Sequence, residues 1–172
     1  MPNRLVYLAL CAGLFASSTR AADPAQAERA FTQLQKLSGS WQLISHEGVA
    51  KSAFRISYRI ISRGTAIVET FGNPATGVTE TLYHRAGPNL MATHYCAQGN
   101  QPRLLLAPDS TVSLLHFRFL DVTNLAHSED SHLVDLKFTI EADGRLRRVE
   151  TYRANGADET STLLLEREPA AR

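Results

Sequence analysis

The chain is poor in cysteine, with two in 172 residues, Cys11 and Cys96. Cys11 lies in an apolar N-terminal stretch whose removal leaves Cys96 alone, and an exported chain with one cysteine has no internal disulfide. An apolar run of membrane-spanning length is also missing. The longest, from Leu5 to Ala16, falls short of the roughly 20 residues that a transmembrane helix needs. Charge of one sign is lacking too: 18 basic side chains face 17 acidic ones. Loss of Arg4 and Arg20 with the N-terminal stretch turns this into a net charge of −1. Such a balance gives no electrostatic basis for binding nucleic acid or an anionic membrane. There is no internal repeat and no low-complexity tract.

What is present begins with Arg4, the apolar run, and small residues leading to Thr19, Arg20, Ala21 and Ala22. This reads as a secretory signal over 1–22, so a periplasmic or secreted location is expected. A lipoprotein reading of Cys11 is disfavoured by Leu10 before it and by the continuing apolar run. Residues 23–172 then form one ordinary domain, large enough to bury a core. Asp23, Pro24 and Gln26 carry a helix-start pattern of cap, first-turn proline and capping-box partner. Ala27, Phe31, Leu34 and Leu37 follow at helical spacing, and Gly39 can end the helix.

After Gly39 the hydrophobic period changes to two. Strands are expected near 40–46, 54–62, 65–71, 78–84, 89–96, 103–108, 112–120, 132–141, 145–153 and 159–167, with about 121–131 as the only long connection. Arg63 and Gly64, the run from Gly72 to Gly77, and Gly87 and Pro88 supply turn chemistry between them. Asp143 with Gly144, and Asn155 with Gly156, favour tight hairpins. Ten consecutive antiparallel strands with short links imply an all-β fold, an up-and-down β-barrel with one N-terminal helix, because closure removes exposed sheet edges.

Gly39, Ser40 and Trp41, standing after a helix at the start of the first strand, resemble the Gly-x-Trp signature of the lipocalin-like, or calycin, barrels. The resemblance implies that the tryptophan closes one barrel end and packs on an arginine from a late strand, here Arg153 or Arg167. It also implies that the barrel holds a small, mostly apolar molecule. The segment from Thr93 to Arg103, with Thr-His-Tyr-Cys followed by Asn-Gln-Pro-Arg, is similar to one in exported bacterial proteins of lipocalin-like type. That similarity implies fold and export and carries no catalytic assignment.

The same segment concentrates reactive side chains. A turn centred on Ala86 and Gly87 would force alanine to positive φ, so a three-residue loop of Ala86, Gly87 and Pro88 is expected, with Arg85 facing Asn89. In that register Glu80 faces His94, and Val78 faces Cys96. Glu80, His84, His94 and Cys96 then share an inner wall with Leu82, Leu90 and Ala92, whereas Thr79, Thr81, Tyr83, Met91, Thr93 and Tyr95 look outward. Asn100, Gln101 and Arg103 belong to the rim above, where Arg103 either meets a ligand carboxylate or pairs with an acidic neighbour.

Several chemistries compete for this wall. A buried imidazole held by a carboxylate is often a satisfied structural pair, or it can orient a ligand beside the small Ala92. Thiol catalysis would need Cys96 as thiolate, His94 as base and Glu80 as its orienter, from residues two apart on one strand. Metal binding by these groups, with His116 added, matches no dense zinc signature. A second group of Asp121, His127, Glu129, Asp130 and His132 suits a solvated loop. One histidine in an apolar barrel could ligate haem, yet nothing further in the sequence supports it, so no cofactor is expected. The reading is an exported carrier whose partner is a small apolar or amphipathic molecule. An enzyme acting at Glu80, His94 and Cys96, or a closed-core interaction module, are the alternatives.

Overall fold

In a computed structural model the chain forms a closed barrel of ten antiparallel strands, each paired with its neighbours in sequence and the last with the first. The structure describes residues 23–45, 54–73 and 75–169. The strands are β1 Gly39–Ser45, β2 Arg55–Ile61, β3 Ala66–Asn73, β4 Gly77–Ala86, β5 Asn89–Tyr95, β6 Gln101–Leu106, β7 Leu114–Thr123, β8 His132–Ile140, β9 Leu146–Ala154 and β10 Ala157–Arg167. They follow one helix, α1, over Pro24–Lys36. This architecture fits a calycin-like barrel. Among the described residues no helix is long and apolar enough to cross a membrane.

The helix starts as its sequence dictates: Asp23 accepts from the Ala25 amide at 2.9 Å, with proline in the first turn. Gln26 is not the capping-box partner. It reaches across to donate to the carbonyls of Pro108 and Ser110, in the β6–β7 connection. Gln35 donates to Gly64 O between β2 and β3, and Glu28 pairs with Arg85 at the end of β4 at 2.5 Å. These ties seat α1 over one barrel end, with Ala27, Ala30, Phe31 and Leu34 buried beneath it.

The first strand completes that closure. Trp41 is buried and donates its Nε1 proton to Leu37 O at 2.8 Å. Its cross-strand partner is Arg167, whose guanidinium lies 4.4 Å from the indole centroid and donates to Lys36 O at 2.7 Å. Arg167 is thus the late-strand arginine, while Arg153 pairs with Asp158 on the outside. Below this plug the interior is filled by Tyr83, Phe117 and Phe138, with ring centroids 5.5–6.3 Å apart.

Two sequence expectations about turns separate here. Asn155 and Gly156, both at positive φ, form the tight hairpin expected between β9 and β10. Asp143 and Gly144 sit instead in a longer loop, closed by the Glu141 amide on Arg145 O. The connection expected at 121–131 is shorter, because β7 runs on to Thr123.

The β4–β5 hairpin corrects the predicted register. Ala86 pairs with Asn89, leaving a two-residue turn of Gly87 and Pro88. Gly87 takes φ +60°, the glycine requirement at the first central position of a type II′ turn, and proline's fixed φ suits the second. Alanine therefore never needs positive φ. Glu80 consequently pairs with Tyr95, and His94 with Thr81. A slip of one residue reverses every side chain of β4: Thr81 and Tyr83 are buried inside, and Glu80, Leu82 and His84 lie on the outer face. The assignment of β5 stands, with Leu90, Ala92 and His94 buried and Tyr95 exposed.

Candidate functional site

The predicted wall does not assemble. Glu80 accepts a long bond from Thr70 Oγ1 at 3.3 Å on the outside, and His84 Nδ1 lies 3.0 Å from Arg85 O. Cys96 is half-buried in the turn after β5, with its Sγ donating to Gln98 Oε1. Its backbone closes that turn against Asn100 and Gly99. Glu80, His94 and Cys96 therefore cannot act as the carboxylate, imidazole and thiol of one catalytic wall.

The predicted rim residues are engaged with protein. Asn100 is buried and donates to Ser131 O, stapling the β5–β6 turn to the β7–β8 connection. Gln101 and Arg103 lie within β6. Gln101 Oε1 accepts from Thr123 and Asn124, and Arg103 makes a two-pronged bond to Asp121 on the next strand. His116, also outward, is buried between Asp109 and Asp135, with one ring nitrogen facing each carboxylate. In the other group, Asp121 belongs to Arg103, Asp130 accepts from the His127 amide, and His132 contacts Asp130 O. Among the described residues no three His, Cys, Asp or Glu side chains converge as a metal group would require.

What the barrel does hold is a line of polar side chains on inward positions of β3, β4, β5, β9 and β10. Glu69 and Arg148 are fully buried and joined at 2.9 Å, and the second guanidinium nitrogen of Arg148 binds Glu150. Tyr83 donates to the other oxygen of Glu69 at 2.8 Å. Tyr58 lies close enough to feel that carboxylate without forming a hydrogen bond of good geometry. Arg148 is also stacked over Phe71, 5.0 Å from its centroid, and approaches Phe138 at 6.0 Å. Glu150 continues the line to Ser161 Oγ at 3.3 Å.

Each protonation state has an identifiable cause. Burial opposes the charge of Arg148, but Glu150 and Glu69 hold it protonated well beyond its ordinary range. Burial likewise pushes the Glu150 carboxyl up, and the adjacent guanidinium overrides this and holds it below the usual carboxylate range. Burial, reinforced by Glu69, raises Tyr58 and Tyr83, so both stay protonated and Tyr83 remains the donor to Glu69. His94 is lowered to about 4 by burial and then by the Arg148 charge, so it is neutral at pH 7. Its ring nitrogens lie 2.9 Å from Thr81 Oγ1 and 3.2 Å from the Tyr152 hydroxyl.

Above this line, at the barrel end opposite α1, lies a cavity of about 220 Å³. Leu43, Ile56, Phe71, Leu163 and Leu165 form its apolar walls, Phe54 stands exposed at its edge, and Glu150 and Ser161 are its polar groups. The size exceeds the ~150 Å³ that admits benzene in an engineered apolar cavity and lies below the ~300 Å³ at which ordinary ligand pockets begin. One ring or a short chain matches it. No protein-family model matches the chain, and no significant match to a curated protein is found. The function therefore rests on geometry.

The sequence reading missed Glu69, Arg148, Glu150, Tyr152 and Ser161. A signal existed in the last strands, where Leu146, Arg148, Glu150 and Tyr152 recur at period two, so whatever face buries Leu146 also buries the charges. Ser161, Leu163 and Leu165 repeat the same pattern on the following strand.

Proposed function

We propose that this protein is an exported, lipocalin-like carrier that holds a small apolar or amphipathic molecule in the cavity bounded by Leu43, Ile56, Phe71, Leu163 and Leu165. The carrying observation is the division of the interior. Towards α1 the interior is occupied by buried side chains of the helix, Trp41 and the Tyr83–Phe117–Phe138 cluster, whereas the far end keeps an apolar cavity of about 220 Å³ with two polar groups, Glu150 and Ser161, among the described residues of its wall. Sites for small molecules have this composition, mostly apolar with a few placed polar groups. The Trp41–Arg167 stack supports the lipocalin-like reading, since a tryptophan on a late arginine is what that resemblance implies. Export rests on the N-terminal signal pattern.

Toluene tests the carrier reading, because it has the cavity's size and no polar group. A ligand that binds the folded state raises the unfolding temperature, increasingly so as its concentration exceeds its dissociation constant, so toluene should stabilise the protein and shift methyl resonances of Leu43, Leu163 and Leu165. Leu163→Trp, which fills the cavity, should abolish both effects. Native mass spectrometry of freshly purified protein should show a retained organic mass. Absence of toluene binding, or binding that survives Leu163→Trp, refutes this site.

A further inference from the structure

The cavity wall also specifies the polar end of its occupant. The geometry points to a small apolar molecule ending in a protonated amine, its ammonium group held by Glu150 and Ser161. This rests on the carrier reading and narrows it to one ligand class.

The first argument is the charge of the interior. Glu69 accepts from both Tyr83 and Arg148, as an ionised carboxylate does, and Glu150 accepts from Arg148 and Ser161. Two carboxylates thus share one guanidinium, leaving a formal charge of −1. The unbalanced charge can be reached only at Glu150, whose side chain is 12% exposed, against 0% for Arg148 and 1% for Glu69. Among the described residues it is the one charged group in the cavity wall.

The second argument is unused bonding capacity. A carboxylate has about four acceptor sites, and Glu150 uses one oxygen on Arg148 and the other on a long 3.3 Å contact from Ser161. Acceptor positions remain on both oxygens, and an ammonium carries three donors to meet them. An alcohol and an ammonium would both donate to an ionised acceptor, but the ammonium adds a charge opposite to that of Glu150 and two further donors, so an amine gains more here than an alcohol of the same shape.

The third argument excludes the opposite choice. A fatty-acid-like ligand with its carboxylate on Arg103 has no basis, because Arg103 points outward and is committed to Asp121. The interior arginine offers no substitute. Arg148 is fully buried behind Glu150, and both its terminal nitrogens are already bonded to carboxylates. Among the described residues of the cavity wall, a ligand carboxylate would meet one charged group, Glu150, and that charge is of the same sign.

Three probes sharing one apolar body separate the outcomes: 2-phenylethylamine, 2-phenylethanol and 3-phenylpropionate, titrated calorimetrically into the purified protein at pH 7. The amine should bind about tenfold more tightly than the alcohol, because it adds an ion pair with Glu150 to the hydrogen bond that both can make, and the acid should bind weakest. Glu150→Gln should abolish the amine's advantage over the alcohol, weakening the amine by about tenfold more than it weakens the alcohol. Should that variant fail to fold, Ser161→Ala is expected to weaken the amine by about threefold, and the wild-type ranking stands as the test. Acid binding equal to or tighter than amine binding, or an amine preference that survives Glu150→Gln, overturns the assignment and leaves the carrier reading intact. Failure of all three probes where toluene still binds overturns the amine assignment alone; failure of toluene as well overturns the carrier reading.

Discussion

Arg148 is the strongest point at which to perturb the interior. Replacement by methionine keeps most of the side-chain volume between Phe71 and Phe138 but leaves Glu69 and Glu150 without their shared cation. Breaking a buried ion pair by removing one partner costs about 3–5 kcal/mol. That is a large share of the roughly 5–15 kcal/mol that stabilises a typical domain. At a conversion of about 2–4 °C per kcal/mol for a chain of this size, Arg148→Met should lower the unfolding temperature by roughly 6–20 °C. Urea unfolding followed through Trp41, the single tryptophan and a buried one, gives the free energy directly.

The pH dependence supplies an independent sign. In the wild type the Glu150 carboxyl is depressed, so its contribution is present above the unfolded value of about 4.5 and is lost as pH falls through the folded value. Without the guanidinium, burial favours the protonated form of a carboxyl, and the folded variant then binds protons more tightly than the unfolded chain. Wild type and variant should therefore converge as pH drops from 8 to 5. Adding Glu69→Gln to Arg148→Met should recover about 1–3 kcal/mol, the range typical of coupled contacts. A loss below about 1 kcal/mol at pH 8, or one that does not change with pH, refutes the account of two charged carboxylates sharing one cation.

Two other outcomes follow from the hairpin and from the buried imidazole. In a Cys96→Ser background, Glu80→Cys with Tyr95→Cys should close a disulfide, because directly opposed residues lie within disulfide reach, whereas Glu80→Cys with His94→Cys should not; thiol alkylation and mass measurement distinguish them. With His94 at about 4 against about 6.5 unfolded, the unfolded chain binds the extra proton first. Stability should fall by about 3 kcal/mol as pH drops from 6.5 to 4, and His94→Gln should remove that loss in acid-unfolding curves.

The barrel was legible in the sequence because its signals are local. Period-two alternation between turn residues marks ten strands, and the Asp23–Pro24 start marks the helix. The site was not legible, because a face assignment depends on turn geometry rather than on residue type. On β4 the alternation of Thr79, Thr81 and Tyr83 with Glu80, Leu82 and His84 carries polar residues on both faces, so hydrophobicity could not arbitrate. The decision passes to one turn, where a three-residue loop of Ala86, Gly87 and Pro88 and a two-residue turn of Gly87 and Pro88 differ in register by one residue, and the structure has the second. On β9 the adjacent Arg147 and Arg148 concealed which one points inward. Only Leu146, on the same face as Arg148, resolves it. His94 was placed inside correctly because Leu90 and Ala92 fix the face of β5 without reference to its partner.

The buried line of charges also bears on how a cavity at one barrel end can be selective. Stability alone is a weak reason for Glu69, Arg148 and Glu150, since well-packed apolar residues often replace a buried ion pair without loss. Position offers a better one. Arg148 is held by Glu69 on one nitrogen, by Glu150 on the other and by Phe71 across its plane, so the carboxylate that reaches the cavity is fixed by a chain of contacts ending at Tyr83 in the aromatic floor. Phe71 is both a stacking surface for Arg148 and a wall of the cavity, so the apolar and charged parts of the site share one side chain. On the proposed reading, an occupant meets an acceptor already oriented, and its binding does not have to bear the cost of ordering that side chain. The packed half of the barrel thereby acts on the hollow half.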